Sequence, residues 1–435
     1  MIIDFTVTNF RSIRDETTLS LAVESPGSHL QENIAYPVGE KIGVVRTLGI
    51  YGANASGKSN LLLALRALSH LVSTSGDLKD GEAIESYQPF RLSRETREAP
   101  VRFEVEFVAD DGIRYAYRVA FTSNRITEEQ LVAYPSRQAA LLFSRTENDT
   151  WETIKFGATL KGGKRRHPFF ANNAYLSKAG NSADAPAAIR NSFDYLRQQF
   201  VYIVERARFR LENWHENPRY MKLLSTLLSA TDTGIEAIGA RETEAREISF
   251  PEGMPEWMRK DYESLLRYPK QWQVLFSHRA DDGQLEEFEL KDESAGTQRL
   301  HALAPAVFAA LNLGGVVLLD ELESGMHPFM AELIVKLFND SRVNTKNAQL
   351  IFTTHNVHVM SSEHLRRDQI WFAEKQNGAS RFYALSDFDK NIVKPTSPFH
   401  KWYLEGRFDA VPKIDYQTIV NALIAARSSD AKETE

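Results

Sequence analysis

Residues Thr47–Leu68 read TLGIYGANASGKSNLLLALRAL, and the rest of the chain is organised around them. Thr47 to Tyr51 has the character of a short buried strand, Gly52 to Ser59 spells G-x-x-x-x-G-K-S, and Leu61, Leu62, Leu65 and Leu68 carry the spacing of an apolar helix face. Strand, glycine-rich loop and helix in that order make a P-loop in the context it requires. The glycines let backbone N–H groups turn toward phosphate, the helix start adds about half a positive charge, and Lys58 supplies a whole one. At average composition the bare pattern arises by chance on the order of once in a hundred chains of this length. Gly52, Asn54, Ser56, Gly57, Lys58, Ser59 and Asn60 are the candidate nucleotide-binding set, with Ser59 placed to ligate Mg²⁺.

With 435 residues, 43% hydrophobic and 25% charged, the chain can bury a large core and holds two or three structural units. It has no cysteine, which excludes a disulfide framework and a thiolate metal site and fits a reducing cytoplasm. Ile3, Phe5 and Val7 alternate with polar residues, so the N-terminus reads as a strand and not as a signal peptide. Leu300 to Leu319 is nearly free of charge and about as long as a membrane span. His301, Pro305, Asn312 and Gly314-Gly315 break it into a buried helix and a buried strand, so no membrane partner is expected. The net charge of −6 speaks against a uniformly basic nucleic-acid coat and leaves room for a local basic patch.

In chain order, Asn9-Phe10-Arg11-Ser12-Ile13 breaks the first strand, and Ser86 to Phe90 opens a strand-rich region after the P-loop helix. Val101, Phe103, Val105 and Phe107, then Ile113, Tyr115, Tyr117, Val119 and Phe121, alternate on either side of Asp110-Asp111-Gly112, which predicts a β-hairpin with one wet face. Further strands are expected over Arg125–Tyr134, Leu141–Arg145 and Trp151–Phe156. The cations between Lys161 and His167 make either a solvated loop or a phosphate contact. A helical pattern at Ile189, Phe193, Leu196, Phe200 and Ile203, with another at Tyr220 to Leu228, suggests an inserted helical hairpin or small bundle.

Val316 to Leu319 is wholly apolar and ends in Asp320-Glu321, as expected of a buried parallel strand presenting carboxylates at its carboxyl end. Phe329 to Asn339 reads as a helix buried through Phe329, Leu333, Leu337 and Phe338, and Gln349 to Thr353 as a buried strand with His355 at its end. Hydrolysis of a nucleotide needs metal charge on the phosphates and a group that orients water. Asp320 is the candidate Mg²⁺ carboxylate, Glu321 the base or water-orienting group, and His355 a contact to the γ-phosphate or the attacking water.

The order P-loop, Ser294-Ala295-Gly296-Thr297-Gln298, Asp320-Glu321 and His355 resembles the ABC-type ATPases. Asn9 to Ile13, Gly52 to Asn60 and Asp320-Glu321-Leu322-Glu323-Ser324-Gly325-Met326-His327-Pro328 together resemble the SMC-like, OLD and RecF branch, and more narrowly the stand-alone AAA-type ATPases of bacterial anti-phage systems of the RloA, AbiLi and AriA kind. The closing segment Tyr403 to Pro412 also looks like that group.

The resemblance implies an α/β fold, an ABC-type P-loop NTPase with a mixed sheet, an antiparallel β layer and a helical insertion. Its halves would be 1–159 and 266–390, around an insertion at 160–265, with a tail at 391–435. It also implies ATP and Mg²⁺ as cofactors, Arg11 near the bound phosphates, and Gln88 as a metal-sensing glutamine. Ser294 and Gly296 become contacts to nucleotide on a second subunit, hence a homodimer or higher homo-oligomer.

OLD-type relatives carry a TOPRIM nuclease. Asp387-Phe388-Asp389 matches part of its motif by letter, but too little chain follows His355 for that fold, and the pair reads as a loop. The leading expectation is a cytoplasmic regulatory ATPase of an anti-phage system that controls a separate effector protein, a TOPRIM-like nuclease by resemblance. The alternative is a RecF-like ATPase that clamps duplex DNA; a transporter ATPase is third, disfavoured by the first-strand motif and the Glu323–Pro328 loop.

Overall fold

The strand expected before the P-loop spans Thr47–Gly52, and every residue of it is buried. The computed structural model describes residues 1–430 apart from 26, 28, 40, 41, 137, 204–216, 232, 244–270, 413 and 414. In chain order its strands are β1 (Ile2–Thr8), β2 (Thr17–Ser20), β3 (Ile34–Ala35), β4 (Val44–Val45), β5 (Thr47–Gly52), β6 (Val101–Val108), β7 (Arg114–Phe121), β8 (Ile126–Tyr134) and β9 (Ala140–Thr146). There follow β10 (Lys155–Phe156), β11 (Phe200–Ile203), β12 (Ile235–Thr243), β13 (Gln271–Arg279), β14 (Leu285–Glu289), β15 (Val316–Leu319), β16 (Gln349–Thr354), β17 (Ile370–Gln376) and β18 (Ala379–Ala384). The helices are α1 (Lys58–Thr74), α2 (Tyr175–Gly180), α3 (Ala187–Gln198), α4 (Pro218–Ser229), α5 (Ala295–Leu313), α6 (Pro328–Asn339), α7 (Phe399–Leu404) and α8 (Tyr416–Asp430).

Three sheets carry the architecture. A six-stranded sheet runs β11-β15-β16-β5-β17-β18, with every neighbouring pair parallel except β17 and β18. A seven-stranded antiparallel sheet runs β10-β9-β8-β7-β6-β1-β2, and β12-β13-β14 form a smaller antiparallel sheet. The expected hairpin is there, with Val101 opposite Phe121 and Phe107 opposite Tyr115.

Alternation along the parallel strands divides the interior in two, because successive side chains point to opposite faces. Leu48, Ile50, Val316, Leu318 and Ile351 join a core shared with α1, α2, α3 and the antiparallel sheet. Tyr51, Val317, Leu319, Leu350 and Phe352 join the core under α5, α6 and α7. Strands covered on both faces read as near-continuous apolar runs, as Leu48–Tyr51 and Val316–Leu319 do. Gly49 is part of that packing, since a Cβ there would lie 2.7 Å from the Phe352 ring.

Several expectations are corrected. Ser86 to Phe90 forms turns and irregular chain, and the strand expected over Trp151–Phe156 shrinks to Lys155–Phe156. The helical pattern through Ile203 ends at Gln198. Phe200–Ile203, a β-branched and aromatic run, instead pairs in parallel with Val316–Leu319. The segment 160–265 is therefore not one helical insertion: α2 and α3 pack into the first core and β11 belongs to the main sheet. After it come α4 and the strand β12, while 204–216 and 244–265 lie outside the described residues. In α6 the buried stripe is Ala331, Ile334, Val335 and Phe338, whereas Phe329 is 61% exposed. No helix among the described residues is long and apolar enough to cross a membrane.

Candidate functional site

Strands β15, β16 and β5 lie side by side and parallel, so their carboxyl ends open on one edge of the sheet, where open α/β folds place ligands. Leu319 pairs with Phe352 and Thr354 with Tyr51. One residue further along, the register puts Asp320 beside Thr353 and His355 beside Gly52. The P-loop, Asp320-Glu321 and His355, read from three distant stretches of sequence, meet here.

Asp320 is the hub. Ser59 Oγ donates to its Oδ1 at 2.9 Å, and Thr353 Oγ1 donates to the same oxygen at 2.6 Å. Its Oδ2 receives no hydrogen bond among the described residues. The Asp320 N–H donates to Ile203 O at 3.0 Å, so β11 steadies the hub from the other side. Thr353 Oγ1 also accepts the Glu321 N–H at 2.9 Å. Glu321 sits at φ 52, a left-handed conformation that L-residues hold only when their surroundings enforce it, and its side chain is exposed.

Lys58 is only 6% exposed, and its ammonium faces neutral partners. It donates to Gly52 O at 2.9 Å and Ala53 O at 3.1 Å, and lies 3.1 Å from His355 Nε2. Burial holds it below the usual lysine range, against the pull of Asp320, Glu323 and Glu321 in the other direction. Since an ammonium can only donate, His355 Nε2 accepts, and the ring is neutral with its proton on Nδ1. The shift of His355 agrees: burial first and then the Lys58 charge lower its pKa from 6.5, with Glu323, Glu321 and Asp320 opposing.

The other expected residues divide. Asn54 is exposed at the tip of the P-loop, Ser56 is buried, and Asn60 Nδ2 donates to Ser12 Oγ at 2.7 Å. Arg11, exposed at φ 50, donates its backbone N–H to Gln88 O at 2.7 Å. Gln88 is itself exposed, and among the described residues its side chain makes no hydrogen bond to Ser59, Asp320 or the rest of the P-loop. The segment it occupies lies beside the first-strand turn that carries Arg11. Ser294 caps α5, accepting the Thr297 N–H at 3.1 Å. A Cβ on Gly296 would lie 3.4 Å from Gly325 O. No hydrogen bond joins either residue to the P-loop of the same chain among the described residues.

Three neighbours escaped sequence reasoning. Glu323 accepts from Thr354 Oγ1 and from the His355 N–H, each at 2.6 Å, and so ties the loop after β15 to the end of β16. Its place two residues after Glu321 was a usable signal. Thr353 looked like part of an apolar strand. Tyr202 lies under the Arg66 guanidinium at 5.0 Å and is pushed up to about 12 by burial and then by Asp320, against Arg66 and Arg11. Nothing local in its sequence marks it.

The residues present fit a phosphate and a hard cation. Helix α1, 17 residues long, has no capping side chain and no acidic residue in its first turn, and although the Asn60 N–H donates to Gly57 O, those of Lys58 and Ser59 are left for an anion. Ser59 and the free oxygen of Asp320 form an oxygen donor pair. Mg²⁺ characteristically binds through one or two protein oxygens plus phosphate and water, a donor set that this pair would begin.

Residues 48–361 match the family described as "AAA domain, putative AbiEii toxin, Type IV TA system". The chain belongs to that family. ATP binding goes with membership of an AAA-domain family, and the site just described is where this member would bind it. No match to a curated protein sequence is found. Among solved structures, the chain is similar to an SMC head bound to the C-winged helix domain of ScpA, at TM-score 0.43 and 12% identity over 88% of this chain and 97% of that one. The SMC head domain from Thermotoga maritima gives 0.36 and 15% over 88% and 98%, and the recombination mediator RecF with ATP gives 0.37 and 14% over 88% and 97%. With scores this low, the description of the fold as a mixed α/β P-loop NTPase rests on its own sheet order and loop.

Proposed function

We propose that this protein is an ATP-hydrolysing switch that closes as a homodimer, or within a higher homo-oligomer, and acts as the regulatory subunit of a bacterial anti-phage, abortive-infection system controlling a separate nuclease effector. The observation that supports hydrolysis is the single hydrogen-bonded cluster linking Ser59, Asp320, Thr353 and Glu321, with Lys58 and His355 paired beside it. Lys58 and the first N–H groups of α1 would bind the phosphates, Ser59 and Asp320 would hold Mg²⁺, Glu321 would orient water, and His355 would face the terminal phosphate. Mg²⁺, when bound, supplies positive charge against the phosphate oxygens. Ser294 and Gly296, exposed or half-buried at the head of α5, are suited to meet nucleotide held by a second copy, and Arg11 to approach the phosphates from the first-strand turn.

The carboxylates of the Asp-x-Asp pair cap turns, as the loop reading expects: Asp387 accepts the Ala384 N–H at 2.9 Å and Asp389 the Asn391 N–H at 2.8 Å. The family description, with its toxin–antitoxin vocabulary, supports the defence setting.

The test is Glu321→Gln, tagged and isolated with ATP and Mg²⁺ present throughout. Turnover should fall about a hundredfold while ATP is retained, and the native mass should show a closed oligomer carrying a second protein in stoichiometric amount. Wild-type turnover in the variant would remove Glu321 from its role. A bare oligomer would remove the effector.

A DNA clamp is the second reading. Lys161, Lys164 and Arg165 are exposed, although Arg166 donates to Trp151 O at 3.1 Å and His167 is buried. It requires DNA binding that weakens steeply with salt.

A further inference from the structure

The P-loop is held from outside by two serines that no phosphate-binding motif contains. Ser380, on β18, donates its hydroxyl to Ser56 O at 2.6 Å and its backbone N–H to Ser12 O at 2.7 Å. Ser12 and Ser380, 368 residues apart, share a hydrogen bond between their hydroxyls at 2.7 Å. Asn60 Nδ2 donates to Ser12 Oγ at 2.7 Å.

Counting protons orders this chain. A serine hydroxyl has one proton to donate. Ser380 spends its proton on the Ser56 carbonyl, so Ser12 is the donor between the two hydroxyls. The bonds therefore run one way, from the Asn60 amide to Ser12, to Ser380, to the Ser56 carbonyl.

The end point matters because of peptide geometry. The Ser56–Gly57 peptide is planar and trans, so its C=O and N–H point in opposite directions. Pinning the carbonyl to Ser380 turns the Gly57 N–H the other way, and that N–H has no acceptor among the described residues. Gly57 has no slack against these partners. It sits at φ 104, and a Cβ there would lie 2.0 Å from Ser380 Oγ and 2.7 Å from Ser12 Oγ. Among the described residues Ser380 alone reaches this carbonyl, and Ser12 orients Ser380.

We propose that Ser12 and Ser380 are positioning residues for phosphate binding, holding the Ser56–Gly57 peptide so that the Gly57 N–H is presented to the nucleotide. This rests on the P-loop reading above. It gives the Asn9–Ile13 turn a second task besides carrying Arg11, and gives the β17–β18 hairpin a direct part in nucleotide affinity.

The experiment is calorimetric titration of ATP into the full-length protein carrying Ser380→Ala, Ser12→Ala or both, with Lys58→Ala as a reference and thermal midpoints taken without nucleotide. Ser380→Ala should weaken ATP about tenfold, as expected for loss of one ordering hydrogen bond. Ser12→Ala leaves the last bond intact and should weaken ATP about threefold, and the double variant should do no more than Ser380→Ala. Midpoints should stay within about 2 °C of wild type. ATP affinity within twofold of wild type in Ser380→Ala, or losses tracking a fallen midpoint, would overturn the proposal. Should Ser380→Ala not fold, the Ser12→Ala affinity decides in the same way. A folded wild type that binds no ATP would instead bring down the P-loop reading itself, whereas wild-type binding lost in Lys58→Ala and kept in Ser380→Ala would sink only this inference.

Discussion

Glu129, at 0% exposure in the antiparallel sheet, accepts from Tyr117 Oη, Arg145 Nε and the N–H groups of Tyr175 and Leu176, at 2.7 to 2.9 Å. Lys58, nearly as buried at the head of α1, leans on two carbonyl oxygens and a neutral imidazole. Both are charges taken out of water. One has an opposite charge and four donors, and both its oxygens are occupied. The other has carboxylates in electrostatic range but none in its hydrogen-bonding shell, and burial depresses its pKa. A buried charge that is fully satisfied holds the fold together; one left facing neutral partners is held ready for a ligand that brings the missing charge.

That contrast can be broken by substitution. Glu129→Ala should produce the largest loss of stability, about 3–5 kcal/mol by denaturant unfolding, because it strands the buried Arg145 and two N–H groups at the start of α2. Its ATP affinity, measured where the variant is still folded, should remain near wild type. Lys58→Ala should do the reverse. ATP affinity should fall by about 3 kcal/mol while the thermal midpoint of the nucleotide-free protein holds steady or rises, since a desolvated cation has been removed. If Lys58→Ala unfolded the protein and Glu129→Ala did not, the comparison would be upside down.

The smallest effect should come from pH. The His355 pKa is lowered from 6.5 in the folded protein, so above that value both states carry it neutral and nothing changes. As pH falls through 6.5 the unfolded chain takes up the proton first, and folding stability declines. Denaturant unfolding at about pH 7.5 and 5.5 should show a decline in wild type that is reduced in His355→Gln. An equal decline in both would mean that the fold does not lower the His355 pKa.

The two regions were not equally legible. The P-loop, Asp320-Glu321 and His355 were readable because each is a local pattern with a local cause: glycines where a loop must bend, an apolar run where a strand is covered on both faces, a polar residue where that strand ends. Phe200–Ile203 was misread because a four-residue apolar run following a helix continues the helical spacing, and only its pairing with Val316–Leu319 makes it a strand. Gln88 was carried over by resemblance, and only the fold shows that its segment pairs with the first-strand turn through the Arg11 N–H.

What the sequence by itself determined is the phosphate-binding loop, the acidic strand end and the alternating antiparallel layer, because these follow from spacing within a dozen residues. What only the tertiary structure decided is which strands stand next to β5, the seating of Asp320 by Ser59 and Thr353, the Glu323 tie to His355, and the serine pair on the outside of the loop. Those depend on segments up to 368 residues apart meeting within a hydrogen-bond length. No periodicity encodes such a meeting. It follows from the register of a sheet whose order is set by how the whole chain packs.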